Sequence, residues 1–146
     1  ADAGPFQQLM ALPALWAGLL YDKEALDEAS ALIADWTAEE RQTMRNEVPK
    51  HGLKTPFRGG TLRDVARKVV KIARRGLKRR GRLDDNGEDE RGALAALVDT
   101  GEEGVTPADR LLAAYHGPWD GNIDRLFEDE ALWPTAPPPA GIGRSA

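Results

Sequence analysis

Residues 52–82 read GLKTPFRGGTLRDVARKVVKIARRGLKRRGR, a Gly/Pro loop that hands over to a strongly basic amphipathic stretch. Leu62, Val65, Ala66, Val69, Ile72, Ala73, Gly76 and Leu77 recur at steps of three and four, which sets them on one face of a helix. Thr61 stands where an N-cap is needed, and Asp64, at the third helical position, is placed to reach back as in a capping box. From 63 to 82 there are ten Lys and Arg against one acid, Asp64. The segment carries +9 while the chain carries −4, so the remainder carries −13. The fold turns on a helix with one apolar and one cationic side.

Two readings of the cationic side compete. It is a solvated face balanced by acidic neighbours such as 84–90, DDNGEDE, or it lies against an anionic partner such as nucleic acid or a membrane. The acidic remainder and the lack of any aromatic between 58 and 82 favour the solvated face, with no nucleic acid and no membrane as partner. The loop says more than the charge. Gly52 is placed to end the preceding helix, and Pro56 forces Thr55 out of helical geometry. Lys54 and Arg58 then flank a helix N-terminus whose free N–H groups favour an anion, which makes both anion-binding candidates. The plainer alternative is a helix–helix connection with two exposed cations.

Working outward, Leu9, Leu12, Leu15, Trp16, Leu19 and Leu20 form a helical stripe that is apolar almost all round. Such a helix is expected to be deeply buried, in this domain or against an absent partner, with Trp16 and Trp36 as core aromatics. Asp22 caps a second helix, and Thr37 with Glu40 forms a capping box for a third that ends near Val48–Pro49. Downstream, 81–92 is polar and Gly-interrupted and reads as mobile; Ala93, Leu94, Leu97 and Val98 mark a short helix. Thr106, Pro107 and Asp109 open another helix, expected to bury Leu111, Leu112 and Tyr115 and to stop at Gly117–Pro118. No stretch of four or more residues reads as a strand. The predicted class is mainly α, with one helical region over 1–130 and a disordered Pro-rich tail over 131–146.

Composition excludes several chemistries. With no cysteine there is no disulfide framework, thiolate metal site or thiol nucleophile, and the setting is expected to be reducing and cytoplasmic. The longest apolar run, 9–21, is too short to span a bilayer and carries Pro13. His51 and His116 stand alone, and no H-E-x-x-H, EF-hand loop, P-loop or G-x-S-x-G occurs. Glu39–Glu40 and Glu102–Glu103 are adjacent pairs, which point different ways on a helix and make a poor acid/base arrangement. No residue is assigned a catalytic or metal-binding role.

Specific stretches resemble a known family. Ala11-Leu12-Pro13-Ala14-Leu15-Trp16-Ala17-Gly18-Leu19-Leu20-Tyr21-Asp22, Ala34-Asp35-Trp36-Thr37 and Gly52-Leu53-Lys54-Thr55-Pro56-Phe57-Arg58 are similar to the C-terminal third of glutamate–cysteine ligases of the plant and proteobacterial type. Gly76-Leu77 with Arg79-Arg80, Val105-Thr106-Pro107-Ala108 with Leu111-Leu112, and Ile123-Asp124 before Phe127 continue the match in order, covering roughly 1–130. The resemblance implies a glutamine-synthetase-like α+β enzyme that joins glutamate to cysteine using ATP and Mg²⁺ through a γ-glutamyl phosphate. Its catalytic sheet and metal-binding glutamates would lie upstream of residue 1, so the chain would be a helical fragment, inactive alone, whose partner is that upstream catalytic domain. Ala1-Asp2 resembles the end of a family stretch Arg-Gly-Ala-Asp-Gly-Gly-Pro whose arginine faces the substrate. That adds Asp2 to Lys54 and Arg58 as candidates for binding substrate or an anion. Ala3 and Phe6 replace a family glycine and tryptophan, and the cysteines of the plant redox switch have no counterpart here. The rival from another class is a helical interaction module whose basic helix binds an anionic partner.

Overall fold

The computed structural model describes residues 6–83, 87 and 89–126. Among the described residues six helices follow one another: α1 Phe6–Leu20, α2 Lys23–Ile33, α3 Ala38–His51, α4 Leu62–Arg80, α5 Ala95–Glu103 and α6 Pro107–His116. Short 3₁₀ turns occupy Gly52–Lys54 and Glu90–Leu94. The only sheet among the described residues is a hairpin of two-residue strands, β1 Pro56–Phe57 and β2 Gly60–Thr61, with Pro56 opposite Thr61 and Phe57 opposite Gly60. The mainly α class is as the sequence predicts. The proposed division at residue 130, the tail over 131–146 and most of the acidic run after Leu83 lie outside the described residues.

The helix starts follow the local chemistry. Asp22 accepts from the Ala25 N–H at 2.8 Å, the Thr37–Glu40 and Thr106–Asp109 capping boxes are closed, and Asp64 accepts from the Thr61 N–H at 2.9 Å. Helix α3 runs through Pro49 to His51, two residues past the expected end. Proline's own φ is helical, and near a helix end it forfeits one intrahelical hydrogen bond. Gly52, at φ 53, then stops the helix while its N–H donates to the Val48 carbonyl.

Helix α4 is the hub, touching α1, α2, α5 and both 3₁₀ turns. Its Ile72, Ala73 and Leu77 form the core with Leu19 of α1, Ala25 of α2 and Leu94. The crossing with α1 is close because both helices offer small residues there. A Cβ on Gly18 would collide with the Ala73 carbonyl, and one on Gly76 would collide with the Gly18 carbonyl.

Two burial expectations need correction. Helix α1 is buried on one side only: Ala11 and Leu19 are inside, but Trp16 is 54% exposed, so it is no core aromatic. Apolar periodicity cannot tell a helix buried all round from one with a second apolar face turned outward. Trp36 is half-buried, with its ring edge-to-face to Phe57 at 4.9 Å. Among the described residues the well-buried tryptophan is Trp119, which follows α6. Helix α6 buries no residue fully, and Leu112 faces outward.

Candidate functional site

The 52–61 loop is built from its own backbone. The Thr55 hydroxyl donates to the Gly52 carbonyl at 2.8 Å, and the Thr55 carbonyl accepts from the Leu62 N–H at 2.9 Å, leaving Thr55 buried. Pro56 then opens the hairpin, whose two turn residues, Arg58 and Gly59, both have positive φ, 47 and 78. That is the backbone pattern of the tight hairpin turns matched to strand twist. Gly59 accepts it freely; Arg58 adopts it against its Cβ.

Arg58 is held there by its own side chain. Its Nε and Nη2 donate to the two carboxylate oxygens of Glu40 at 2.5 and 2.7 Å, a fork-on-fork pair. Its Nη1 donates to the Asp35 carboxylate at 2.6 Å, and Nη2 also to the Asp35 carbonyl at 2.8 Å. The guanidinium stands 5.5 Å from the centre of the Phe57 ring, which in turn meets Trp36. Glu40 also accepts from the Thr37 N–H, so one carboxylate caps α3 and clamps the hairpin. The Arg58 hydrogen bond, followed by the Thr37 N–H, lowers the Glu40 pKa to about 2. Arg58 is held more firmly charged, first by Glu40 and then by Asp35. The hairpin is latched to the α2–α3 junction.

Lys54 is placed differently. It is exposed and makes no hydrogen bond or close ion pair among the described residues. Its charge acts at longer range on Asp109, whose carboxyl is lowered chiefly by the Thr106 hydroxyl. Lys54 and Arg58 thus share a loop, but Arg58 is engaged by two carboxylates and Lys54 is not. Asp2 lies outside the described residues. Among the described residues no group of three or more His, Asp or Glu is placed to hold a metal ion.

The cations of α4 act largely as staples. Arg63 donates to the Gly101 carbonyl at 2.8 Å and to the Glu102 carbonyl, Arg67 pairs with Glu102 at 2.6 Å, and Arg75 pairs with Glu28 at 2.5 Å. Arg79 reaches Asp22 at 2.5 Å, joining the end of α4 to the cap of α2. Lys71, Arg74 and Lys78, with Arg75 and Arg91, line a shallow hollow of about 240 Å³.

The sequence matches the family described as Glutamate-cysteine ligase family 2 (GCS2) over residues 1–129. The chain belongs to this family. It is 49% identical over 129 residues to a glutamate–cysteine ligase of Nicotiana tabacum and 50% identical to one of Solanum lycopersicum. Each match covers 88% of this chain and 24% of the relative. A ligase of Arabidopsis thaliana is 49% identical over the same length, with the same coverage. The chain therefore spans about a quarter of the ligases it matches. All three are named chloroplastic, which overturns the cytoplasmic setting read from composition. A lack of cysteine speaks only to redox conditions, and reducing conditions are not peculiar to the cytoplasm.

Within this family-2 chain, the latch partners Asp35 and Glu40 are what sequence reasoning missed. Glu40 was legible as a capping residue, and Asp35-Trp36-Thr37 as part of the family likeness, but neither carried a role toward Arg58. The usable signal was two acids beside an aromatic at a helix junction, facing a hairpin with its own aromatic and arginine.

Proposed function

We propose that the chain forms the helical C-terminal portion of a ligase that joins the γ-carboxyl of glutamate to the amine of cysteine, the first step of glutathione biosynthesis. The observation that supports this most is near-half identity to named glutamate–cysteine ligases across almost the whole chain. Helical support fits that role better than an autonomous active site does. The described carboxylates gather no trio for Mg²⁺, and those nearest the loop are committed to Arg58. We assign ATP and Mg²⁺ to the upstream catalytic domain that the family resemblance implies. Family membership supports this reading over the rival, a helical interaction module whose basic helix binds an anionic partner.

The chain's own contribution is positional. The latch fixes the hairpin, and the hairpin fixes where Lys54 stands. Lys54, not engaged by a carboxylate, is proposed as the cation offered to an oxyanion of substrate or nucleotide. Arg58 is proposed as its positioning residue, since binding a substrate itself would cost it Glu40 and Asp35. Asp2 is proposed from its motif alone, at the edge of the same site. The test replaces the matched segment of the tobacco ligase with this chain and measures ATP-dependent γ-glutamylcysteine formation. The chimera is expected to make product and the 146-residue chain none. Product from the chain alone, or a folded but inert chimera, would overturn the reading.

A further inference from the structure

Helix α1 has two apolar sides and uses one. Gly18 and Leu19 pack toward α4, and Ala11 is buried as well. Turned outward, Leu9, Leu12, Trp16 and Leu20 are 45, 47, 54 and 50% exposed. Their three- and four-residue steps align them in one stripe. The stripe has no charge on its own helix, for no Asp, Glu, Lys or Arg occurs from residue 6 to residue 21. A helix whose outer face meets water carries polar residues there, and an aligned apolar stripe marks a contact surface.

We infer that the exposed stripe of α1 is the seat on which the remainder of the ligase chain packs. This rests on the ligase reading above. About three-quarters of each matched ligase lies outside the region this chain spans, so a large covalently attached occupant is at hand. A stripe without charge suits a permanent, core-like interface more than a transient one, where charges steer encounter and set partner choice. A tether supplies the high effective concentration that makes such steering unnecessary. The absence of any cation from the stripe argues equally against nucleic acid.

The chain has no cysteine, so Leu12→Cys introduces a single thiol in the stripe, and Lys23→Cys, just beyond the helix, serves as an exposed control. In the 146-residue protein both thiols are expected to react with a maleimide at similar rates, read by peptide mass mapping. In the ligase carrying this segment, the thiol at position 12 is expected to slow by roughly tenfold or more relative to the control. Equal rates in an active ligase would overturn the docking while leaving the ligase reading intact; protection in an inert, folded ligase would do the reverse. Sedimentation of the 146-residue protein supplies the remaining arm. A dimer abolished by Trp16→Ser would give the stripe to a second copy and overturn the inference.

Discussion

Arg58 sits where a hairpin turn favours glycine or asparagine, and it stays because its side chain pulls harder than its backbone resists. At φ 47 its Cβ is crowded, yet four hydrogen bonds to Glu40 and Asp35 hold it. Replacing it separates the two effects. Arg58→Gly relieves the backbone and removes the fork; the melting temperature is expected to fall by several degrees, because the fork is the larger effect. A glycine variant as stable as the parent would show that strain and fork merely cancel. Glu40 gives the same latch a pH signature. Its carboxyl is depressed on folding, so it contributes stability above its ordinary value of 4.5 and loses that contribution as pH falls toward about 2. Acid unfolding is therefore expected to steepen below pH 4.5 and to flatten there in Glu40→Gln, as followed by circular dichroism. Sequence pattern exposed the cations of this loop but not their partners, because the acids lie 18 and 23 residues back and periodicity reports only neighbours along one helix.

At the scale of elements, caps were the most legible feature and outward faces the least. Asp22, Thr37 and Thr106 start their helices where their side chains say they should, since a cap satisfies backbone groups within three residues. Which side of α1 meets α4 depends on Gly18 and Gly76 meeting across the chain, and no local rule gives that. Their contact makes a prediction. In an exposed helix Gly→Ala would stabilise by about 1 kcal/mol. At position 76 the added methyl meets the Gly18 carbonyl and lies 3.0 Å from the Ala25 Cβ. Helix α1 would have to back away, so Gly76→Ala is expected to destabilise by about 1–3 kcal/mol, measured by urea unfolding. A gain in stability would mean that the crossing is looser than described. The tryptophans carry the same lesson: Trp119, in a loop with no periodicity to announce it, is buried, while Trp16, at the centre of a clear stripe, faces outward.

For the molecule as a whole, the charge imbalance read from the sequence becomes an internal cross-link, with α4 cations meeting Glu28 of α2, Asp22 at its cap and Glu102 of α5 through Arg75, Arg79 and Arg67. The core is concentrated to match. Ile72, Ala73 and Leu77 lie together in α4, whereas α3 and α6 bury no residue fully. Stability should then be graded along the chain, since opening free energy follows buried contact. Hydrogen exchange is expected to be slowest in α4 around residues 72–77 and faster in α3, whose ties to the rest include the Arg58 latch and the 3₁₀ turn that continues it. Arg58→Ala sharpens the case by cutting the latch while leaving the α1–α4 crossing untouched. Exchange in α3 and the hairpin should accelerate while residues 72–77 keep their parent rates. If instead α4 accelerates in step with α3, the chain opens as one unit. The latch would then be a support of global stability and not the local device that fixes Lys54 in place.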